Sequence, residues 1–410
     1  MGSYYSDDDG RCSSDVCKKR SFEHPLSELW DSTVSIELDE NAQVINAIES
    51  FPGLEIWARN SMRKLHSLLE TAFVEKLPRS VCEKLPLKSA VTLRNGDALW
   101  EHWHFHSISH SSNYFGILPD SVGVEFGKET LATEISKVSS VDVSQLVDEF
   151  TSRACSLIKA NIKPPDSTLK NRYVKMILSG KTRVLSFKKY SHSIQSSHFL
   201  KLRDLFLNTG IEDEKRLNER IFTLLQRYDS LGGHGFQAAI SIEAFDYLRD
   251  HFGVNFECFA SPLNCRFSRF CSAFPDTDIY FGSLGSFFDF HPVSGSYEAN
   301  PPFVESVTLK MMQHINNLLS KSDSNSTCMS FIVVVPSKFR DLISASKFHR
   351  GIVILEHRNH SYKAGAQHKK KLKSTVKSTC DTDIHVVQSH RGALQWPLTK
   401  EKMDEISASF

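Results

Sequence analysis

The sequence predicts a two-part chain: a mostly helical first part followed by an α/β layer with a largely parallel sheet. Three observations carry this reading. Apolar residues recur at helical spacing from Leu26 to about Leu231. Gly232-Gly233-His234-Gly235 then breaks the pattern. Beyond it, short β-branched and aromatic runs alternate with amphipathic stretches, the rhythm of strand–helix–strand units.

The elements follow in order. Residues 1–24 are rich in Ser and Asp and read as a disordered tail. Residues 25–233 form the mostly helical domain. Val44, Ile45, Ile48 and Phe51 lie on one helical stripe, and Met62, Leu65, Leu68, Leu69 and Phe73 on another. Asp148 to Ala160 and Leu217 to Tyr228 read the same way, with a short strand expected at Val184 to Phe187. Residues 234–400 form the α/β domain. A helix at Ile242 to His251 leads into an apolar run, Phe256 to Ala260. Further strand-like runs are Phe287 to Phe290, Ser296 to Ala299, Ser330 to Val335, Gly351 to Leu355 and Ile384 to Val387. A helix with Val304, Val307, Met311, Ile315 and Leu318 on one stripe follows the Ser296 run. No internal repeat is present.

Composition narrows the function classes. Hydrophobic residues make up 40% and charged residues 24%, and 28 Phe supply a core, which excludes a fully disordered chain. The net charge of +1 implies no partner; only local clusters can. The longest apolar run, Phe331 to Pro336, is six residues, far short of the ~20 that cross a bilayer. The polar, acidic start suggests no signal peptide. Met1 to Ser6 matches a myristoylation pattern, but Asp7, Asp8 and Asp9 would oppose an anionic membrane surface, so no membrane partner is expected. Nine cysteines without a CxxC pair read as free thiols of a reducing compartment.

The most informative motif is Asn300-Pro301-Pro302-Phe303. Two prolines after a strand end the ladder, because neither offers an N–H, and they hold the backbone rigid at the strand's carboxyl end. Open α/β sheets bind ligands at that end. The Asn300 side chain and the Pro301 carbonyl become two acceptors in one geometry. Such a pair suits an exocyclic amine on an aromatic ring. The amine's lone pair is delocalised into the ring; two acceptors gripping its N–H groups push the nitrogen toward tetrahedral geometry and free the pair. The electrophile would be the methyl group of S-adenosylmethionine, and catalysis would be positioning plus electrostatics. Phe303 offers a face for base stacking, worth ~1–3 kcal/mol. The alternative is a Pro-Pro turn that merely joins a strand to a helix.

Longer strings are more specific. Phe252 through Cys265 (Phe-Gly-Val-Asn-Phe-Glu-Cys-Phe-Ala-Ser-Pro-Leu-Asn-Cys), Cys271 through Asp278, Tyr280-Phe281-Gly282-Ser283 and Ser294 through Phe303 together resemble the phosphorylated-CTD-interacting factor family of cap-specific adenosine N6-methyltransferases. The resemblance continues through Ser330 to Val333 and His360 to His368 and reaches back to about residue 217. It implies a Rossmann-like S-adenosylmethionine-dependent methyltransferase domain behind an RNA- and cap-binding helical domain. It implies N6-methylation of the first transcribed adenosine, usually 2′-O-methylated, beside the 7-methylguanosine cap of mRNA. Asn300, Pro301, Pro302 and Phe303 would be catalytic. The loop Phe259, Ala260, Ser261, Pro262 to Asn264 would hold the cofactor with Asn300, although it lacks the usual glycines. Glu305 would recognise the cap guanine, whose N1 and N2 protons a carboxylate accepts.

Two departures stand out. No WW-type module is recognisable near the N-terminus, so docking to RNA polymerase II tails is unsupported. Ser337-Lys338-Phe339-Arg340 also replaces an aromatic- and proline-rich run of vertebrate members, leaving Lys338 and Arg340 as candidates for phosphate contact.

From Ser167 to Arg203 there is no acidic residue against nine basic ones, among them Arg172, Lys175, Lys181, Arg183 and Lys201, with Tyr173, Phe187 and Tyr190 interleaved. This reads as a phosphate-tracking RNA surface, the alternative being a solvated face. Lys363 to Lys377 holds six lysines, a mobile loop over RNA or a nuclear import signal, and the nucleus is the expected location, with the cytoplasm as the alternative. His102 to His106 alternates like a strand, but no carboxylate or cysteine of fitting spacing accompanies it, and no metal is expected. Two other functions compete: a catalytically silent cap- or RNA-binding homologue, and a methyltransferase for another amine such as DNA adenine.

Overall fold

The computed structural model describes residues 49–74, 77, 98–109, 111, 117–136, 140, 142–160, 173–231, 238–363, 365, 368–369, 375–378 and 380–410. The expected tail, the stripe starting at Val44, the glycine break at 232–235, Arg172 and much of the second lysine run lie outside these residues. Among the described residues, no helix is long and apolar enough to cross a membrane.

Among the described residues, four helices come first: α1 (Pro52–Val74), α2 (Ala98–Ser109), α3 (Ser121–Ser136) and α4 (Ser144–Ala160). On α4, Val147, Phe150, Ala154 and Ile158 recur every three or four residues and bury against α1 and α2. Trp103 and Phe73 both pack edge-on against Phe150, with ring centroids 5.3 and 6.0 Å away. A Cβ on Gly127 would sit 2.5 Å from the Trp103 indole nitrogen, so glycine sets the approach of α3 to α2. The His102–His106 run is helical, not a strand. Trp100, Trp103, His104 and Ser107 bury at helical spacing, and this period wins over the alternation of the imidazoles.

A three-stranded antiparallel sheet follows: β1 (Lys175–Ser179), β2 (Thr182–Phe187) and β3 (Tyr190–Gln195). Sequence reading anticipates only part of β2. The turn between β2 and β3 is Lys188-Lys189, with Lys188 at φ 53, and carries none of the Gly, Asn or Asp residues that mark hairpins. Helices α5 (Ser196–Thr209) and α6 (Leu217–Ser230) pack on one face through Leu185, Phe187, Phe199, Phe206 and Phe222. Arg227 of α6 is 0% exposed, and its guanidinium bonds both Glu55 of α1 (2.7 and 2.8 Å) and Asp276 (2.5 and 3.0 Å). It thereby ties the helical part to the chain that follows.

The main sheet has five strands in the order β4 (Val254–Glu257), β5 (Gly295–Ala299), β6 (Met329–Pro336), β10 (Thr382–Gln388) and β7 (His349–Leu355). β4, β5 and β6 are parallel; β10 is antiparallel to both β6 and β7, so the sheet is mixed. A short hairpin, β8 (Ser361–Lys363) with β9 (Thr375–Lys377), joins β7 to β10. Beyond β4, single parallel bridges from Glu257 to Phe270 and from Phe270 to Ser283 prolong the sheet. The Phe287–Phe290 run is no strand. Phe287 to Asp289 form a 3₁₀ turn capped by Ser286, which drives Phe287 into the core against Phe259 and Phe331.

Every residue of β6 and β10 is buried, because helices cover both faces. Helix α8 (Glu305–Ser324) lies on one face through Met311, Met312, Ile315 and Leu319. Helices α7 (Ile242–Phe252) and α9 (Lys400–Ser409) lie on the other, through Phe245, Leu248, Phe252 and Ile406.

Candidate active site

The carboxyl ends of three adjacent parallel strands place three loops side by side: 258–264 after β4, 300–304 after β5 and 337–340 after β6. This is the edge where open α/β sheets bind ligands. The sheet therefore brings the Phe259–Asn264 loop beside the tetrapeptide, as the Cys258 N–H donating to the Glu298 carbonyl at 2.8 Å shows.

The tetrapeptide is a short extended link between β5 and α8. Pro301 is buried and Asn300, Pro302 and Phe303 are half-buried. Phe303 leans on the core under α8. Val304 donates its N–H to the Pro302 carbonyl at 2.7 Å, which bends the chain into the helix. Among the described residues, neither the Asn300 side chain nor the Pro301 carbonyl takes part in a hydrogen bond. Two acceptors thus stand at the strand end with no internal partner.

The 258–265 loop is held at each step. Ser261 donates from its N–H and its hydroxyl to Asn264 Oδ1, at 2.7 and 2.9 Å, and its carbonyl accepts from Asn264 and Cys265. Ser261 and Asn264 therefore lock each other. Pro262 is buried; Phe259 and Ala260 remain half-exposed, the Phe259 ring 5.1 Å from that of Phe287. Glu257 Oε2 accepts from the backbone N–H groups of Arg266 (2.6 Å) and Phe267 (3.1 Å), closing the loop from below. Lys201 Nζ donates to the Cys265 carbonyl at 2.8 Å from α5.

Sequence reading missed the groups beneath this edge. Glu257 and Glu298 are register partners on β4 and β5, and both are buried. Burial pushes the Glu257 carboxyl up to about 7; burial and then Glu257 hold the Glu298 proton well above the ordinary carboxylate range. The only available signal was an acid inside each otherwise apolar or neutral strand, Val-Asn-Phe-Glu and Gly-Ser-Tyr-Glu-Ala. Lys201, read as part of a solvent-facing basic run, is 2% exposed.

The other anticipated contacts are more scattered. Glu305 is exposed on the first turn of α8, one residue past the tetrapeptide link. Lys338 is exposed, its Nζ 3.5 Å from the Phe303 carbonyl, which puts a cation at the tetrapeptide. Arg340 instead grips Asp383 through two hydrogen bonds of 2.8 and 2.9 Å. Lys175 and Lys181 are exposed at opposite ends of the β1 hairpin arm, and the Arg183 guanidinium stacks on Phe199 at 4.4 Å. His104 lies in the core, donating from Nε2 to the Ile117 carbonyl at 2.7 Å, and burial lowers it to about 4.

Residues 201–365 match the family model described as the phosphorylated CTD interacting factor 1 WW domain. This part of the chain is therefore similar to the phosphorylated-CTD-interacting factor family. Despite that description, the matched segment contains none of the chain's five tryptophans and spans the loops just described. A human protein named mRNA (2'-O-methyladenosine-N(6)-)-methyltransferase is 37% identical over 253 residues, covering 58% of this chain and 35% of the relative. A mouse protein of the same name is 36% identical over the same share. The chain thus spans about a third of the length of the curated relatives it matches.

Proposed function

We propose that the chain is an S-adenosylmethionine-dependent methyltransferase that methylates N6 of the cap-adjacent, 2′-O-methylated adenosine of mRNA, acting in the nucleus. The observation that carries this is the unengaged acceptor pair, Asn300 and Pro301, beside the Phe259–Asn264 loop at the carboxyl edge. The family match and the relatives' name point to the same chemistry. Support for a Rossmann-like methyltransferase fold comes from the strand order, with the antiparallel β10 between β6 and β7. Docking to a polymerase tail is no part of the proposal.

The residues at the edge fit a cationic cofactor. Two buried carboxyl groups lie beneath it, of which Glu257 is the one that ionises, and the Glu298 side chain receives no hydrogen bond among the described residues. Phe259, Ala260 and Asn300 would hold S-adenosylmethionine, which supplies a methyl group on an electrophilic sulfonium. The chain's own part is positional. Asn300 and Pro301 accept the two N–H groups of the adenine amine and so free its lone pair. Phe303 offers a face to the base. Glu305 and Lys338, on either side of the link, are the charges available to the cap and its phosphates. No strong base is needed, because the amine proton becomes acidic once the nitrogen is alkylated.

The test is methyl transfer from labelled cofactor to capped RNA beginning with A or with G. Label in the A-RNA alone is the expected result. No transfer together with tight cap binding would favour a silent cap-binding homologue, and equal labelling of DNA adenine a different acceptor.

A further inference from the structure

The amino-terminal turn of α5 carries polar groups that the proposed reaction leaves unexplained. The helix follows β3 directly, and its N-cap residue, Gln195, makes no capping hydrogen bond through its side chain. His198, on this first turn, is 6% exposed, yet neither ring nitrogen has a partner among the described residues. The hydroxyls of Ser196 and of Thr182, the register partner of Gln195, are also buried without partners among the described residues. Side chains on a helix lean toward its amino end, which directs the His198 ring over the uncapped turn.

The surroundings set the sign of what could bind. The charged or chargeable groups acting on His198 are Lys201 and His368, both unfavourable to a cation. Lys181, whose carbonyl accepts the Ser196 N–H at 2.9 Å, is exposed at the hairpin end. His368 is held across the turn by its carbonyl, which accepts the Gln195 N–H at 3.0 Å. Apart from the Ser196 N–H, which the Lys181 carbonyl accepts, the turn adds N–H groups without helical acceptors and the positive end of the helix dipole. Buried donors without partners are costly, and an oxyanion satisfies several at once.

We propose that this turn, with Ser196 and His198 as its side-chain ligands, binds a phosphate of the RNA 5′ end. The site rests on the reading above only for the identity of the RNA. Lys201 spans from α5 to the Cys265 carbonyl, so a phosphate here sits between the basic hairpin and the loop that flanks the tetrapeptide.

The experiment is calorimetric binding to the full chain of three probes: inorganic tripolyphosphate, a capped dinucleotide and S-adenosylmethionine. Two variants are compared, His198→Leu and Ser196→Ala. Loss of one charge-assisted contact predicts about tenfold weaker binding of the two phosphate probes by His198→Leu, and a few-fold weakening by Ser196→Ala, with cofactor affinity unchanged. Unaltered tripolyphosphate binding in both variants overturns the site. So does a fall confined to cofactor affinity, which places the donor's carboxylate there instead. If His198→Leu fails to fold, Ser196→Ala, which removes one hydroxyl from a helix start, decides the matter alone. Phosphate binding at this turn by a chain that transfers no methyl group leaves the site standing and removes the enzymatic reading; methyl transfer with unaltered phosphate binding in the variants does the reverse.

Discussion

Glu257 and Glu298 stand opposite each other on adjacent parallel strands, sealed from water immediately beneath the proposed catalytic edge. Two like charges at that spacing cannot both ionise without a strong cation between them. Glu257 has two backbone donors and the field of Lys201 to favour its ionised form; Glu298 has neither. The pair therefore sheds its first proton mainly from Glu257, and Glu298 stays neutral, two residues before Asn300.

This pair predicts how stability depends on pH. Both carboxyl groups hold protons more tightly in the folded state than in the unfolded chain, with Glu257 shifted up to about 7. The folded state thus binds more protons than the unfolded one above the ordinary glutamate range, and stability falls as pH rises from about 4.5 through 7. Glu298→Gln removes one of the two groups and keeps the shape. Thermal unfolding from pH 5 to 8 should then show a shallower decline than the wild type, the remainder coming from Glu257 and from buried Asp278, whose carboxyl is also pushed up to about 7. Identical slopes would show that the pair is not protonated as described.

Arg227 is the second buried electrostatic feature, and it acts through contacts rather than protons. Its guanidinium joins α1 to the segment at Asp276, with both carboxylates paired to it. Arg227→Met should cost about 3–5 kcal/mol in urea unfolding, because it leaves two buried carboxylates without their cation. Adding Glu55→Gln to that variant should recover part of the loss. A cost below about 1 kcal/mol for the single variant would contradict the assigned role.

Strands β6, β7 and β10 of the main sheet were legible because they carry runs of β-branched residues bounded by turns, and helices α7 and α8 because their stripes are regular; α9, beyond the expected end of the domain at residue 400, was not anticipated. The tetrapeptide was legible because proline alone stops a ladder in that way. Hairpin β2–β3 was not, since its turn is built from lysines. Local pattern also could not distinguish Lys201 from its exposed neighbours, because its burial depends on a loop 64 positions away. The partnership of Glu257 with Glu298 is equally non-local: it exists only once β4 and β5 are side by side.

Lys201 predicts the behaviour of the loop. Its ammonium reaches the Cys265 carbonyl from α5 and lies in the field of Glu257. Lys201→Met keeps the buried stem and removes the hydrogen bond, worth about 1.5–3 kcal/mol when charged. Amide exchange at Ala260, Arg266 and Phe267 should quicken, and S-adenosylmethionine affinity should fall, with α1 to α4 unaffected. Unchanged exchange across 258–267 would show that the loop is held without the lysine.

Asn300 carries the chemistry in the reading advanced above. Its side chain is half-buried and makes no hydrogen bond among the described residues, so its removal should not disturb the fold. Asn300→Ala should leave the melting temperature nearly unchanged while lowering kcat by ~10²-fold or more, the scale expected when one oriented polar contact to the reacting group is lost. Asn300→Asp restores an acceptor in the same place, although its charge is costly above the Glu257–Glu298 pair, and should retain more turnover than the alanine variant. That ordering separates an acceptor from a merely structural residue, because a residue that only shapes the turn gains nothing from a carboxylate. Near-normal turnover of Asn300→Ala on capped RNA would remove the acceptor pair from the mechanism and leave the two prolines as a simple strand-to-helix link.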